Sequence, residues 1–152
     1  MSLTEQFQKL ASNYIAEHGR ATPTEIAEWL VHIKRWEPEP SDMVRQCAKL
    51  LARAMRQEYI VDPQGRKVRA KHAVMEHDDA GSQTAFWDDI RTATRNHMHI
   101  AFQQRREQIV GDCRQLKTDV DSYNDNQNTG YPIQMIFDFT DDLEELEAGV
   151  IS

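Results

Sequence analysis

Within the stretch EYIVDPQGRKVRAKHAV, residues 58–74, the side chains of Arg66, Lys67, Arg69, Lys71 and, when protonated, His72 can carry positive charge, although the chain as a whole has a formal net charge of -7. The chemistry open to such a cluster is attraction to the phosphates of a nucleic acid, which supplies most of the affinity of such contacts. A second set, Arg45, Lys49, Arg53 and Arg56, recurs at steps of four, four and three, so these side chains share one side of a helix. QGRKVRA has no acid interleaved. These eight cations, Lys71 included, are the candidate nucleic-acid contacts.

Other chemistries find little support in the residues. There is no phosphate-cradling glycine loop, no GxSxG elbow, no HExxH and no cysteine paired with a histidine at a catalytic spacing. His72, His77, His97 and His99 invite a metal reading. However, His97 and His99 are two apart on a predicted helix and point in different directions, unlike ligands at i and i+4. The carboxylates of DDLEELE read as a solvated acidic face. The expectation is a non-enzymatic protein with no metal and no cofactor. Cys47 and Cys113 belong to no ligand or redox spacing and read as free thiols in a reducing compartment.

Charge is divided unevenly. Residues 1–76 have a net charge of +2 and residues 77–152 one of -9, while residues 41–73 alone reach +5. The overall pI near 5.3 therefore hides a local basic patch. A mean hydropathy of -0.71 is polar for a compact globule and implies surface buried only against a partner, most simply a second copy. No window approaches the roughly 18 apolar residues of a membrane span, and MSLTEQFQKL lacks the features of a signal peptide, so a cytoplasmic location is expected.

The elements that must position these groups are legible in outline. Leu3, Phe7, Leu10, Tyr14 and Ile15 recur at helical spacing, with Gly19 as the stop. Thr22, Pro23 and Glu25 form a start signal for a second helix whose inner face is Ile26, Trp29, Leu30 and Ile33. KRWEPEP, residues 34–40, is a loop because its prolines disfavour helix. Ser41 reads as the cap of a third helix with Met43, Cys47, Leu50, Leu51, Ala54 and Met55 on one side. Tyr59, Ile60, Val61 and Val68 around DPQG predict strand, turn, strand.

Three helices followed by a basic hairpin resemble a winged helix-turn-helix domain over residues 3–74. The resemblance makes TPTEIAEWLV the second helix, SDMVRQCAKLLARAMRQ the recognition helix, YIVDPQGRKVRA the wing, and GRAT a short strand beside it. It implies contact with double-stranded DNA through the recognition helix in the major groove and the wing on backbone or minor groove. The long Pro-rich connection before the third helix departs from the family pattern.

The fold expected is therefore mainly α: a winged helix-turn-helix domain over 1–76, a long helix over 82–125, and an extended segment with an acidic helix over 126–152. Phe86, Ile90, Ala93 and His97 mark an early stripe on the long helix. Phe102, Ile109, Leu116 and Tyr123 recur seven apart, with Arg106, Cys113 and Val120 at the alternate positions. From Ile109 the steps are those of a coiled-coil seam and call for a second helix, making a homodimer the expected state. YPIQMIFDF reads as a strand or extended segment; its Gln134, Met135, Phe137 and Phe139 resemble, loosely, the peptide by which bacterial replication and repair proteins dock on the sliding clamp. A dimeric, DNA-binding transcriptional regulator is the function these readings imply. The alternative is an adaptor that uses the winged domain, or residues 133–139, to hold protein.

Overall fold

The computed structural model describes residues 2–33, 36–37 and 39–151. Among these the chain is mainly helical, with five helices and two small antiparallel hairpins. It forms two compact units, Met1–Ala54 and Met55–Ser152. The hairpin at 59–69 belongs to the second.

In the first unit, α1 (Leu3–His18) starts with a capping box: the Glu5 N–H donates to Ser2 Oγ at 3.1 Å, and the Ser2 N–H donates to the Glu5 carboxylate at 3.0 Å. It ends at Gly19, whose φ of 81° disfavours other residues and whose N–H donates to the Ile15 carbonyl at 2.8 Å. α2 (Pro23–His32) has Pro23 in its first turn and Thr22 Oγ1 accepting from the Glu25 N–H at 3.1 Å. The strand expected at GRAT does not form, because residues 19–22 are an irregular link between helices. Tyr14 meets Trp29 edge-on at 5.3 Å, Phe7 meets Trp36 at 5.6 Å, and Leu30 is buried.

The expected loop over 34–40 is only partly within reach, since Lys34, Arg35 and Pro38 lie outside the described residues. α3 (Pro40–Arg56) begins one residue before Ser41, which is therefore inside the first turn and not the cap. Asp42 takes over part of the capping, accepting from the Glu39 N–H at 2.6 Å. The helix is strongly amphipathic yet has no buried residue: Met43, Val44, Leu50 and Leu51 are all exposed.

The second unit begins with the last turn of α3. β1 (Tyr59–Val61) pairs antiparallel with β2 (Lys67–Arg69), and β3 (Lys71–His77) pairs with β4 (Gln83–Asp89). Both loops have the same construction. Asp62 donates its N–H to the Arg66 carbonyl at 2.9 Å and accepts from the Gly65 N–H at 2.9 Å; Asp78 does the same with Ser82 and Gly81, at 2.9 and 3.0 Å. The glycines have φ of 86° and 83°. β2 and β3 are consecutive, and buried Ala70 between them switches partners: its N–H donates to Glu58, its carbonyl accepts from Ile90.

The long helix starts thirteen residues later than expected. Residues 83–89 are β4, so Phe86 lies on a strand and Ile90 and Ala93 lie in the turn that follows it. A seven-rung ladder and the Asp-x-x-Gly turn outweigh a stripe whose Thr84, Phe86 and Trp87 favour strand in any case. α4 (Arg95–Asn126) begins where Thr94 Oγ1 accepts from the His97 N–H at 3.1 Å. The side-chain amide of Gln104 fastens α4 to β3 by pairing with both backbone groups of Met75, at 2.7 and 3.0 Å, as a neighbouring strand would. Beyond α4, YPIQMIFDF makes no strand. The Asn124 amide holds it at Ile133 by the same double pairing, at 2.8 and 3.0 Å. α5 (Thr140–Ile151) has Asp141 and Asp142 in its first turn, as the sequence implied.

Candidate nucleic-acid interface

The β1–β2 hairpin presents the basic stretch as expected, but its cations are not equivalent. Asp62 accepts from the N–H groups of Gln64 and Arg66 at 3.0 and 2.7 Å, and its second oxygen accepts from the Arg66 guanidinium at 2.7 Å. These bonds, the Arg66 N–H first, hold the Asp62 carboxyl below its usual range. Asp62 thus compensates the charge of Arg66. The Lys67 ammonium sits over the Tyr59 ring at 4.8 Å, and neither Lys67 nor Arg69 has an ion pair among the described residues.

Lys71 is differently placed. Its ammonium lies 3.1 Å from the Glu58 carboxylate and 3.1 Å from that of Asp89, its cross-strand partner. Glu58 first and Asp89 second raise its pKa. Arg91 grips the same Asp89 with two bonds, at 2.9 and 2.6 Å, and holds that carboxyl far below its usual range. Lys71 therefore belongs to a closed network that ties β3 and β4 to the residue that precedes β1. It has little charge left for a ligand.

His72 adds no charge either. It is buried, its Nε2–H donates to the Arg69 carbonyl at 2.9 Å, and its ring meets Phe102 edge-on at 5.4 Å. Burial first, and then the neighbouring Arg105, Arg69 and His97, push its pKa down against the effect of that hydrogen bond. The His97 Nε2–H donates in turn to the His72 carbonyl at 2.9 Å, which accounts for His97 without a metal.

Beside His72, between β3, β4 and α4, lies a cavity of about 130 Å³ into which Arg56, Arg69 and Arg105 converge, with Trp87 and Gln104 on its wall. No carboxylate lines it. The Arg56 guanidinium lies 5.7 Å from the centre of the Trp87 ring. Burial, with Arg69 adding to it, lowers the pKa of Arg105. Sequence reading missed Arg105 and Trp87. The helix face that meets the sheet is His97, Ala101, Gln104, Arg105 and Gln108, polar where an inward face is ordinarily apolar, so a search for apolar stripes passes over it.

In the first unit, Arg45, Lys49 and Arg53 are exposed on α3. Arg45 pairs with Asp42 at 2.7 Å; Lys49 and Arg53 have no ion pair among the described residues. On α4, Ile109, Leu116 and Tyr123 are 45–52 % exposed, and Cys113 and Val120 are partly covered. Phe102, expected in the same seam, is engaged with His72 on one side and open on the other. Gln134, Met135 and Phe139 are exposed and Phe137 is partly covered, its ring edge-on to Phe139 at 6.4 Å. Among the described residues no group of three or more His, Cys, Asp or Glu is placed to hold a metal ion, and no helix is long and apolar enough to cross a membrane. No protein-family model, curated protein or solved structure matches the chain.

Proposed function

We propose that the protein binds double-stranded DNA as a homodimer and regulates transcription. The observation that carries this reading is the basic hairpin, which forms as its own antiparallel ladder and leaves Lys67 and Arg69 without a carboxylate partner among the described residues. The exposed cations Lys49 and Arg53 on α3 support it; Arg45, near the start of that helix, would have to leave Asp42 to reach a base edge. Arg66, compensated by Asp62, is a weaker contact, and Lys71 is a structural residue. The regulatory role follows the winged-helix resemblance, in which such domains come in pairs that match the two-fold symmetry of duplex DNA.

The test is a fluorescence-anisotropy titration of a labelled random-sequence duplex at about 50 and 200 mM salt. Arg53→Ala and Arg69→Ala each weaken binding to every duplex and reduce the logarithmic salt slope by about one. Lys71→Ala leaves the slope unchanged, because its charge is already matched. Slopes unaltered in both arginine variants would remove the reading.

A further inference from the structure

We propose that the cavity between β3, β4 and α4 is a binding site for one phosphate group, with the guanidinium groups of Arg56, Arg69 and Arg105 as its ligands. The site shares Arg56 and Arg69 with the basic residues of the DNA reading, and Arg105 belongs to it alone. The argument starts from an imbalance. A chain of net charge -7 has carboxylates to spare, yet the lining of this cavity holds three arginines and Lys71 and, among the described residues, no aspartate or glutamate; Glu58 and Asp89 pair with Lys71, and none of the three arginines has an ion pair among the described residues. Arg69 is partly covered and disfavours the charge on Arg105, whereas Arg56 and Arg105 reach the cavity from the exposed side and keep part of their hydration. An arrangement of that kind is stabilised by an anion.

The chemistry of the walls narrows the anion. Guanidinium groups present planar forks of N–H donors that match the oxygens of a phosphate, and three forks exceed what a single carboxylate can accept. A volume of about 130 Å³ admits a group of several heavy atoms, with the rest of the ligand projecting through the mouth. Gln104 and Gln108 on α4 add polar side chains to the lining, although the Gln104 amide is committed to Met75. Trp87, with the Arg56 guanidinium over its ring at 5.7 Å, favours that group's position at the cavity wall. The phosphate has two possible sources, the terminal group of a free phosphate ester or the backbone of the nucleic acid.

Inorganic phosphate and pyrophosphate, titrated into the full-length protein by calorimetry and by thermal shift, test the site. Both bind saturably and raise the melting temperature of wild type. Arg105→Ala loses at least tenfold in pyrophosphate affinity, Arg56→Gln behaves alike, and Arg114→Ala, which removes the same charge from the same helix away from the cavity, stays within twofold. Far-UV circular dichroism confirms that each variant is folded; two independent variants guard against the collapse of one. Absence of saturable binding to wild type, or equal loss in Arg114→Ala, overturns the proposal. The labelled duplex then identifies the source. If Arg105→Ala weakens duplex binding more than Arg114→Ala does, the phosphate is a backbone one; if only pyrophosphate binding falls, the ligand is a free ester. A protein that holds pyrophosphate and no duplex loses the DNA reading and keeps the site.

Discussion

His72 enters the fold as a neutral imidazole, and that has a pH signature. The unfolded chain takes up a proton on this residue near pH 6.5, whereas burial and the adjacent Arg69 and Arg105 resist the same proton in the folded state. The unfolded state thus binds more protons below that pH, and stability falls as the pH is lowered. The contribution is present in full above about pH 6.5 and lost as the pH drops toward the folded value. Urea midpoints measured between about pH 7.5 and 5.5 decline for wild type, and His72→Gln flattens the decline; a wild-type midpoint that is level over this range contradicts the assignment. Asp89 acts in a separate window. Its folded pKa is depressed by Arg91 first and then Lys71, so its contribution is present above the ordinary aspartate range, near pH 4, and disappears only below it. In the same stretch, the unprotonated His72 and the paired Lys71 show why a count of cations in a sequence overstates a patch: sequence gives the charge and not the neighbour that cancels it.

At the scale of elements, the two hairpins share one turn. Asp accepts from the backbone at the start, and Gly takes a positive φ near the end. A side chain at Gly65 or Gly81 meets no neighbouring atom but must adopt the left-handed conformation, so Gly65→Ala and Gly81→Ala each cost about 1–2 kcal/mol. Gly111 is the opposite case. It lies within α4 with open space where a Cβ would go, and Gly111→Ala stabilises by about 0.8–1 kcal/mol in the same urea titration. A loss at Gly111 and a gain at Gly65 would reverse the account. The stop of α1 at Gly19, the cap of α2, the first hairpin and the acidic helix α5 were legible in the sequence, because each is written in residues adjacent along the chain. β4 was not: Phe86, Ile90 and Ala93 have helical spacing, and only the partner strand 71–77 decides against it. DDAG carried the same signal as DPQG, and attention to the repeated Asp-x-x-Gly spacing finds the second hairpin. Arg105 was hidden for a different reason, since its importance comes from Arg56 and Arg69, 49 and 36 positions away in sequence.

At the scale of the molecule, each unit covers few of its apolar side chains. Leu30, Ala70, Val74, Ala101 and His72 are the buried residues among those described, and no large side chain is fully enclosed. Much of the exposed apolar surface is aligned: Ile109, Leu116 and Tyr123 follow one side of α4, and Met43, Val44, Leu50 and Leu51 lie on α3. The homodimer proposed above covers the α4 seam with its own copy. Sedimentation equilibrium at micromolar concentration then gives twice the chain mass, and Leu116→Asp with Val120→Asp gives the chain mass; a wild-type monomer at tens of micromolar removes the dimer. For a protein built in this way, an unpaired copy is also the copy most open to proteolysis, because its interface helix is the one left uncovered. Its lifetime would then rise with its own abundance: scarce chains are cleared, plentiful ones pair and persist, and the amount of the protein carries a threshold that no dedicated control has to impose.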